Sequence, residues 1–230
     1  MRQVVKEFVG VCGEALDIKE PVYEFGSFQV TGQEGFADLR PLFPGLEYVG
    51  CDYRPGPGVD KVLDLHKIDL PSESVGTVLI LETLEHVEFP WKAMEEIFRI
   101  LRPGGIVVMS SVMDMPIHSY PHDYWRFTPE AFQSLLRDFA DKFAGSAGNA
   151  WFPHTIVGIG VKEGHFDRAA FLPLYYRWEK RWRFRFGKTW KSYIRLLLPL
   201  GVLDWRRKRQ YLREIDSEAN AATRGADAPS

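Results

Sequence analysis

Cysteine is scarce: the 230-residue chain has two, Cys12 and Cys51. A disulfide framework is therefore excluded, and a reducing compartment is expected. Long apolar runs are also missing. The longest, Leu196 to Leu203, is broken by Pro199 and Gly201 and falls far below the roughly 20 residues that cross a bilayer. No apolar leader follows Met1-Arg2, so a cytoplasmic location is expected. A complete G-x-G-x-x-G loop is absent, which argues against a pyrophosphate-bearing dinucleotide. The histidines show no ligand spacing of the helical or C-x-x-C kind, so no metal is expected.

Hydrophobic residues make up 45% of the chain, enough for one well-buried domain and an appendage. The net charge of -2 hides an asymmetry. Residues 177–213 hold thirteen Lys/Arg against Glu179 and Asp204, a net of +11, leaving -13 on the remainder.

Apolar positions Val4, Val5, Phe8, Val9, Cys12 and Leu16 are spaced as on an amphipathic helix. Val22 to Gly26 predicts a short buried strand, Phe36 to Phe43 a short helix, and Glu47 to Asp52 a second strand. Lys61 to Leu65 predicts a third strand, and the β-branched run Gly76 to Leu81 a fourth, buried on both faces. The segment from Pro90 predicts a helix with Trp91, Met94, Ile97, Phe98 and Leu101 on one stripe, stopped by Pro103-Gly104-Gly105. "IVVMSSV" reads as a strand, "TPEAFQSLLRDF" as a helix with a Thr cap and proline at its first position, and "TIVGIGVK" as a late strand. Alternation of this kind predicts an α/β, doubly wound, mostly parallel sheet, with ligands beyond the carboxyl ends of its strands.

Acids stand at or near those ends: Glu24, Asp52, Asp64 and Glu82. A carboxylate suits the vicinal hydroxyls of a ribose, and another can accept from the exocyclic amine of adenine. An adenosine with an appendage other than phosphate fits better than NAD. Each acid taken singly also reads as an ordinary turn cap.

The pieces "VYEFGS", "YVGCDYRPGPGVDKVLDLHKIDLPSESVGTVLILETLEHV", "AMEEIFRILRPGGIVVMSS" and "HDYWRFTPEAF" resemble, in order and spacing, the class I S-adenosylmethionine-dependent methyltransferases of the type 11 branch. The likeness covers about residues 20–165. It implies a Rossmann-like seven-stranded sheet and S-adenosyl-L-methionine as cofactor. It carries over Glu24, Gly26 and Ser27 as cofactor contacts, Asp52 for the ribose with Tyr53 beside the adenine, Asp64 and Leu65 at the adenine edge, and Leu81 and Glu82 near the methionine moiety. Phe28 and Val30 stand where the family's glycines would be and narrow the loop. The "DYWRFTPE" segment resembles a subgroup associated with bacterial surface-polysaccharide and natural-product pathways. The implied activity is O-methylation of a sugar, glycan precursor or other small metabolite, with N-methylation of a small amine and a non-catalytic binding module as alternatives.

"MDMPIHSYPHDYWRF" follows the fifth predicted strand and should lie over the binding edge. It supplies candidate bases His122, Asp123 and His118, and candidate acceptor contacts Tyr124, Arg126 and Asp114. Trp125 and Phe127 read equally as anchors, Arg126 as an ion-pair partner of Asp123 or Glu85, and His86 as a structural hydrogen-bonder. Residues 1–165 are expected to form the cofactor domain, 166–215 a basic, aromatic helical appendage, and 216–230 a frayed end. The appendage reads as a helical lid on the body or on a second subunit, giving a homodimer, or as a contact with an anionic membrane surface. Nucleic acid is disfavoured, since the N/D-P-P-Y-type motif that the resemblance would imply for an amino-methylating DNA enzyme is not present.

Overall fold

The computed structural model describes residues 1–183 except 31, 34 and 119–121. Helix α1 (Gln3–Ala15) leads into β1 (Val22–Phe25), β2 (Tyr48–Asp52), β3 (Lys61–Val62) and β4 (Val75–Leu81). Helix α2 (Pro90–Ile100), β5 (Leu101–Val112), α3 (Pro129–Leu135), β6 (Asp141–Asn149), β7 (Phe152–Val161) and α4 (Arg168–Trp182) complete the order. The strands form one sheet in the order β3-β2-β1-β4-β5-β7-β6. Ladders from β3 through β5 are parallel, and β7 pairs antiparallel with both β5 and β6.

Every residue of β4 is buried, because helices cover both faces of the sheet. Leu79 and Leu81 pack with Val5, Phe8 and Val9 of α1 and with Trp178 of α4. Val78 and Ile80 point the other way, into Met94, Ile97 and Ile100 of α2 and Phe132 of α3. The period of two along the strand thus divides the core into two layers.

Several expected boundaries move. The third strand ends at Val62 rather than Leu65, because the Asp64 carboxylate accepts from the His66 N–H at 2.8 Å and turns the chain. Phe36–Phe43 forms only a 3₁₀ turn at Arg40–Leu42. Trp91 is exposed and drops off the α2 stripe, whose buried side is Ala93, Met94, Ile97 and Ile100. Pro103-Gly104-Gly105 lies inside β5, and α2 has already ended at Ile100. Strand β6 has no counterpart in the sequence reading. Its residues, DKFAGSAGN, are poor strand formers that β7 recruits at the sheet edge.

The domain boundary expected at 165 also shifts: the first compact unit runs from Met1 to Phe184. Helix α4 belongs to the core, with Phe171, Tyr175, Trp178 and Trp182 buried and the Trp178 indole N–H donating to the Val4 carbonyl at 2.9 Å. The basic stretch 177–213 lies outside the described residues from 184 onward, as does 216–230. Among the described residues no helix is long and apolar enough to cross a membrane.

Candidate functional site

The sheet reverses its winding between β1 and β4, so their carboxyl ends separate and leave a crevice. A cavity of about 770 Å³ occupies it. Its walls include every residue expected at the cofactor: Glu24, Gly26 and Ser27 after β1, Asp52 and Tyr53 after β2, Asp64 and Leu65 after β3, and Leu81 and Glu82 after β4.

The loop after β1 works without the expected glycines. Gly26 has φ +85°, and a Cβ there would lie 2.0 Å from Thr83 Oγ1, so this one glycine is required twice over. Its N–H and that of Ser27 donate to the Cys51 carbonyl at 2.8 and 3.0 Å, tying the loop to β2. Phe28 and Val30 line the cavity. Space for the Phe28 ring comes from the opposite loop, where a Cβ on Gly56 would strike it at 2.3 Å, and the Arg54 guanidinium covers the ring at 4.5 Å. The missing glycines are thus replaced by one facing them across the crevice.

Asp52 is 8% exposed. Its Oδ1 accepts from the Arg54 N–H at 3.0 Å, while among the described residues no group bonds Oδ2. A ribose diol fits this half-satisfied carboxylate. Asp64 is exposed, and its Oδ1 also sits 3.0 Å from His66 Nδ1. The turn-capping role and a role toward ligand use different oxygens of the same group. Among the described residues nothing accepts from the Leu65 N–H, so Asp64 and Leu65 together present one acceptor and one donor, as the N6 and N1 edge of adenine requires. Tyr53 is half exposed at the rim.

At the other end Glu82 occupies the left-handed region, φ 50°, at the end of β4. Its carboxylate forms an ion pair with Arg2 Nε and accepts from the Arg2 N–H at 3.0 Å. Arg2 Nη1 donates to the His154 carbonyl at 3.2 Å, whereas Nη2 is buried without a partner. Ser27 Oγ is likewise buried and unpaired. These orphan donors are what an α-carboxylate would satisfy, and Glu24 and Glu82 offer carboxyl oxygens toward an ammonium and a sulfonium. S-adenosylmethionine therefore fits the donor set. Arg2 was not legible in the sequence, because its role comes from pairing across the chain with Glu82.

Burial pushes the Glu24 carboxyl up to about 7, although the Tyr48 hydroxyl, donating at 2.8 Å, and Arg40 pull it down. Burial also raises the Tyr48 hydroxyl, which stays protonated as donor. The folded state thus holds the Glu24 proton more tightly than the unfolded chain. Its contribution should make stability fall as pH rises from about 4.5 to about 7. Thermal unfolding midpoints across that window should lose part of this slope in Glu24→Gln; an identical slope in the variant would show that Glu24 ionises normally.

The segment after β5 divides. His118, His122 and Tyr124 line the cavity, together with Glu85 and His86, two residues whose sequence context carries no site signal. Asp123, Arg126 and Asp114 do not line it. Asp123 is corrected from base to anchor: it takes Arg126 Nη2 at 2.7 Å and the His118 N–H at 2.8 Å, and these partners hold its carboxyl below its usual range against the effect of burial. Arg126 is consumed by that pair and by the carbonyls of Met115 and Pro116. Asp114 is exposed outside the cavity. Trp125, whose indole N–H donates to the Val87 carbonyl at 3.0 Å, and the buried Phe127 are anchors. Burial lowers the His86 imidazole and pushes the Glu85 carboxyl up to about 7.

A family model described as "Methyltransferase domain" matches residues 43–109, from the turn before β2 into β5. An uncharacterized methyltransferase of Mycobacterium ulcerans is 30% identical over 90 residues, 39% of this chain and 35% of that protein. The matched region is thus about a third of the length of that curated relative. A SAM-dependent methyltransferase of Thermotoga maritima superposes with a TM-score of 0.50 at 18% identity, covering 70% of this chain and 89% of that one. One from Archaeoglobus fulgidus gives a TM-score of 0.49 at 16% identity, over 61% and 85%. Strand order, crevice and matched segment agree: residues 43–109 match a methyltransferase domain model, and the sheet has the fold of the Thermotoga maritima SAM-dependent methyltransferase.

Proposed function

We propose that the protein methylates a hydroxyl oxygen of a sugar, glycan precursor or other small metabolite. The observation that carries this reading is the cluster of imidazoles, His86, His118 and His122, on the cavity wall beyond the methionine end. The cofactor supplies a methyl carbon on a positively charged sulfur. As the new O–C bond forms, the S–C bond breaks with its electron pair remaining on sulfur, and the hydroxyl must lose its proton. An amine that is already neutral needs no such help, so the imidazoles favour a hydroxyl acceptor over an amine.

His122 is the proposed base. Its ring lines the cavity and makes no hydrogen bond among the described residues; it touches only the Tyr124 ring, at 5.5 Å between centroids. Tyr124 offers an aromatic face to the acceptor, and Met115 and Val112 supply apolar wall. The sugar class is supported by the resemblance of the "DYWRFTPE" segment, and a lipid-linked acceptor by the cations and aromatics of 177–213.

The test is turnover with isotopically labelled methyl donor against nucleotide sugars, lipid-linked sugars and small amines, read by mass spectrometry. Label on a sugar oxygen is expected. Label on nitrogen alone, or no transfer by protein that binds the donor, would contradict the proposal.

A further inference from the structure

We propose that Glu85, His86 and His118 form a site for a first-row divalent transition ion of the zinc type, at the acceptor end of the crevice. One ligand atom from each of the three residues can be chosen so that all lie within 4.8 Å of one another. Bonds of about 2.0–2.2 Å to a common ion place neighbouring donors somewhat closer than this, a closure that side-chain rotation can supply. Two of the residues come from the 3₁₀ turn Leu84–His86 after β4, and the third from the loop after β5. The Glu85 carbonyl accepts from the Tyr124 N–H at 2.8 Å and the Trp125 N–H at 3.2 Å, which fastens the two segments together.

The hydrogen bonds behind these side chains set their free atoms. His86 Nδ1 lies 2.5 Å from the His122 carbonyl, and His118 Nδ1 lies 3.1 Å from the Pro116 carbonyl. A carbonyl oxygen only accepts, so each Nδ1 carries the hydrogen and each Nε2 keeps a lone pair. The Asp123 carboxylate, 3.4 Å from His118 Nδ1, favours the same arrangement. Glu85 Oε2 accepts from the Ser111 hydroxyl at 2.7 Å, and Oε1 takes no side-chain donor. Every prospective ligand therefore has an outer partner that fixes its orientation, the pattern found around protein-bound metals.

Charge points the same way. Glu85 is 1% exposed, and no Lys or Arg among the described residues pairs with it. A bound divalent ion would give this carboxylate a contact ion-pair partner, beyond the longer-range pull of Arg2. Two imidazoles and one carboxylate suit zinc-like ions better than magnesium or calcium, which prefer oxygen. With three protein ligands, a tetrahedral ion retains one open position. Because all three residues line the crevice, that position faces the acceptor, where it would take an oxygen of the substrate. The acceptor role rests on the hydroxyl-methylation reading; ion binding does not. Sequence spacing gave no hint of the site, since an adjacent pair at 85 and 86 must meet residue 118 in the fold.

The experiment strips untagged full-length protein with a chelator, then titrates it with Co²⁺, followed by visible absorption, and with Zn²⁺ by equilibrium dialysis. Neither cofactor nor acceptor is present. One equivalent should bind, with the absorption of a nitrogen- and oxygen-ligated low-symmetry Co²⁺. His118→Ala and His86→Ala should each weaken binding by about 10- to 100-fold or more. Glu85→Gln should do the same; because Glu85 is buried, the half-buried loop variant His118→Ala, checked by thermal melting, keeps the test decisive if Glu85→Gln does not fold. No binding, or binding unchanged in His118→Ala and His86→Ala, would overturn the site. Tight binding of the ion without methylation of any hydroxyl would retain the site and overturn the assigned activity instead.

Discussion

Asp52→Ala is expected to weaken S-adenosylmethionine binding by about 10²- to 10³-fold while leaving the fold intact. A hydrogen bond from a neutral hydroxyl to a carboxylate is worth about 1.5–3 kcal/mol. A ribose offers two, but Oδ1 already accepts from Arg54, so the second bond is shared and its loss counts for less. About 3–4 kcal/mol in total corresponds to the quoted factor, at about 1.4 kcal/mol per tenfold. Structural damage should be small: Asp52 packs at the strand end rather than between the sheet and a helix, and the partner it abandons, Arg54, keeps its contact with the Phe28 ring. Calorimetry should show the affinity loss, and thermal melting of the free variant a midpoint near that of the parent. Unchanged affinity would remove Asp52 from the ribose and with it the assignment of the adenosine end.

His122→Ala should lower kcat by about 10²- to 10⁴-fold, the usual span for a lost general base, with little change in affinity for S-adenosylmethionine. The substitution is structurally mild. The main-chain carbonyl, not the ring, holds His86, so the alanine variant keeps that bond. The ring itself is exposed and, among the described residues, its one ring contact is with Tyr124. Single-turnover measurement with saturating donor separates the chemical step from binding. An unaltered chemical rate would assign proton removal elsewhere. A fall in donor affinity of similar size would show instead that the loop shapes the cofactor end.

The parts of this molecule legible from its sequence are those in which neighbours along the chain do the work. Strand β4 announces itself because every side chain from Val75 to Leu81 is buried, and helix α3 because Thr128 caps it by accepting from the Ala131 N–H at 3.2 Å. The strand-end acids were legible because the strands that present them are adjacent in the sheet. Strand β6 was not, since its small polar residues acquire strand geometry only from pairing with β7. The loop after β5 was read for its residue types, but types do not say which carboxylate faces the crevice. Asp123 lies three residues before Arg126 and is consumed by it, whereas Glu85, read only as a possible ion-pair partner of Arg126, turns out to be on the wall. Arg2 and Glu82 meet across the length of the sheet-forming chain, a contact without local signature. The tail was legible in part: a helix lying on the body was one of its readings, and α4 packs there through Trp178 and Trp182, whereas residues 184–230 lie outside the described residues.

The most direct measurement is calorimetric titration of S-adenosylmethionine into the full-length protein. The account requires a single site per chain, lost on competition by S-adenosylhomocysteine and severely weakened in Asp52→Ala. A flat titration from folded protein would mean that the crevice between β1 and β4 does not hold the cofactor.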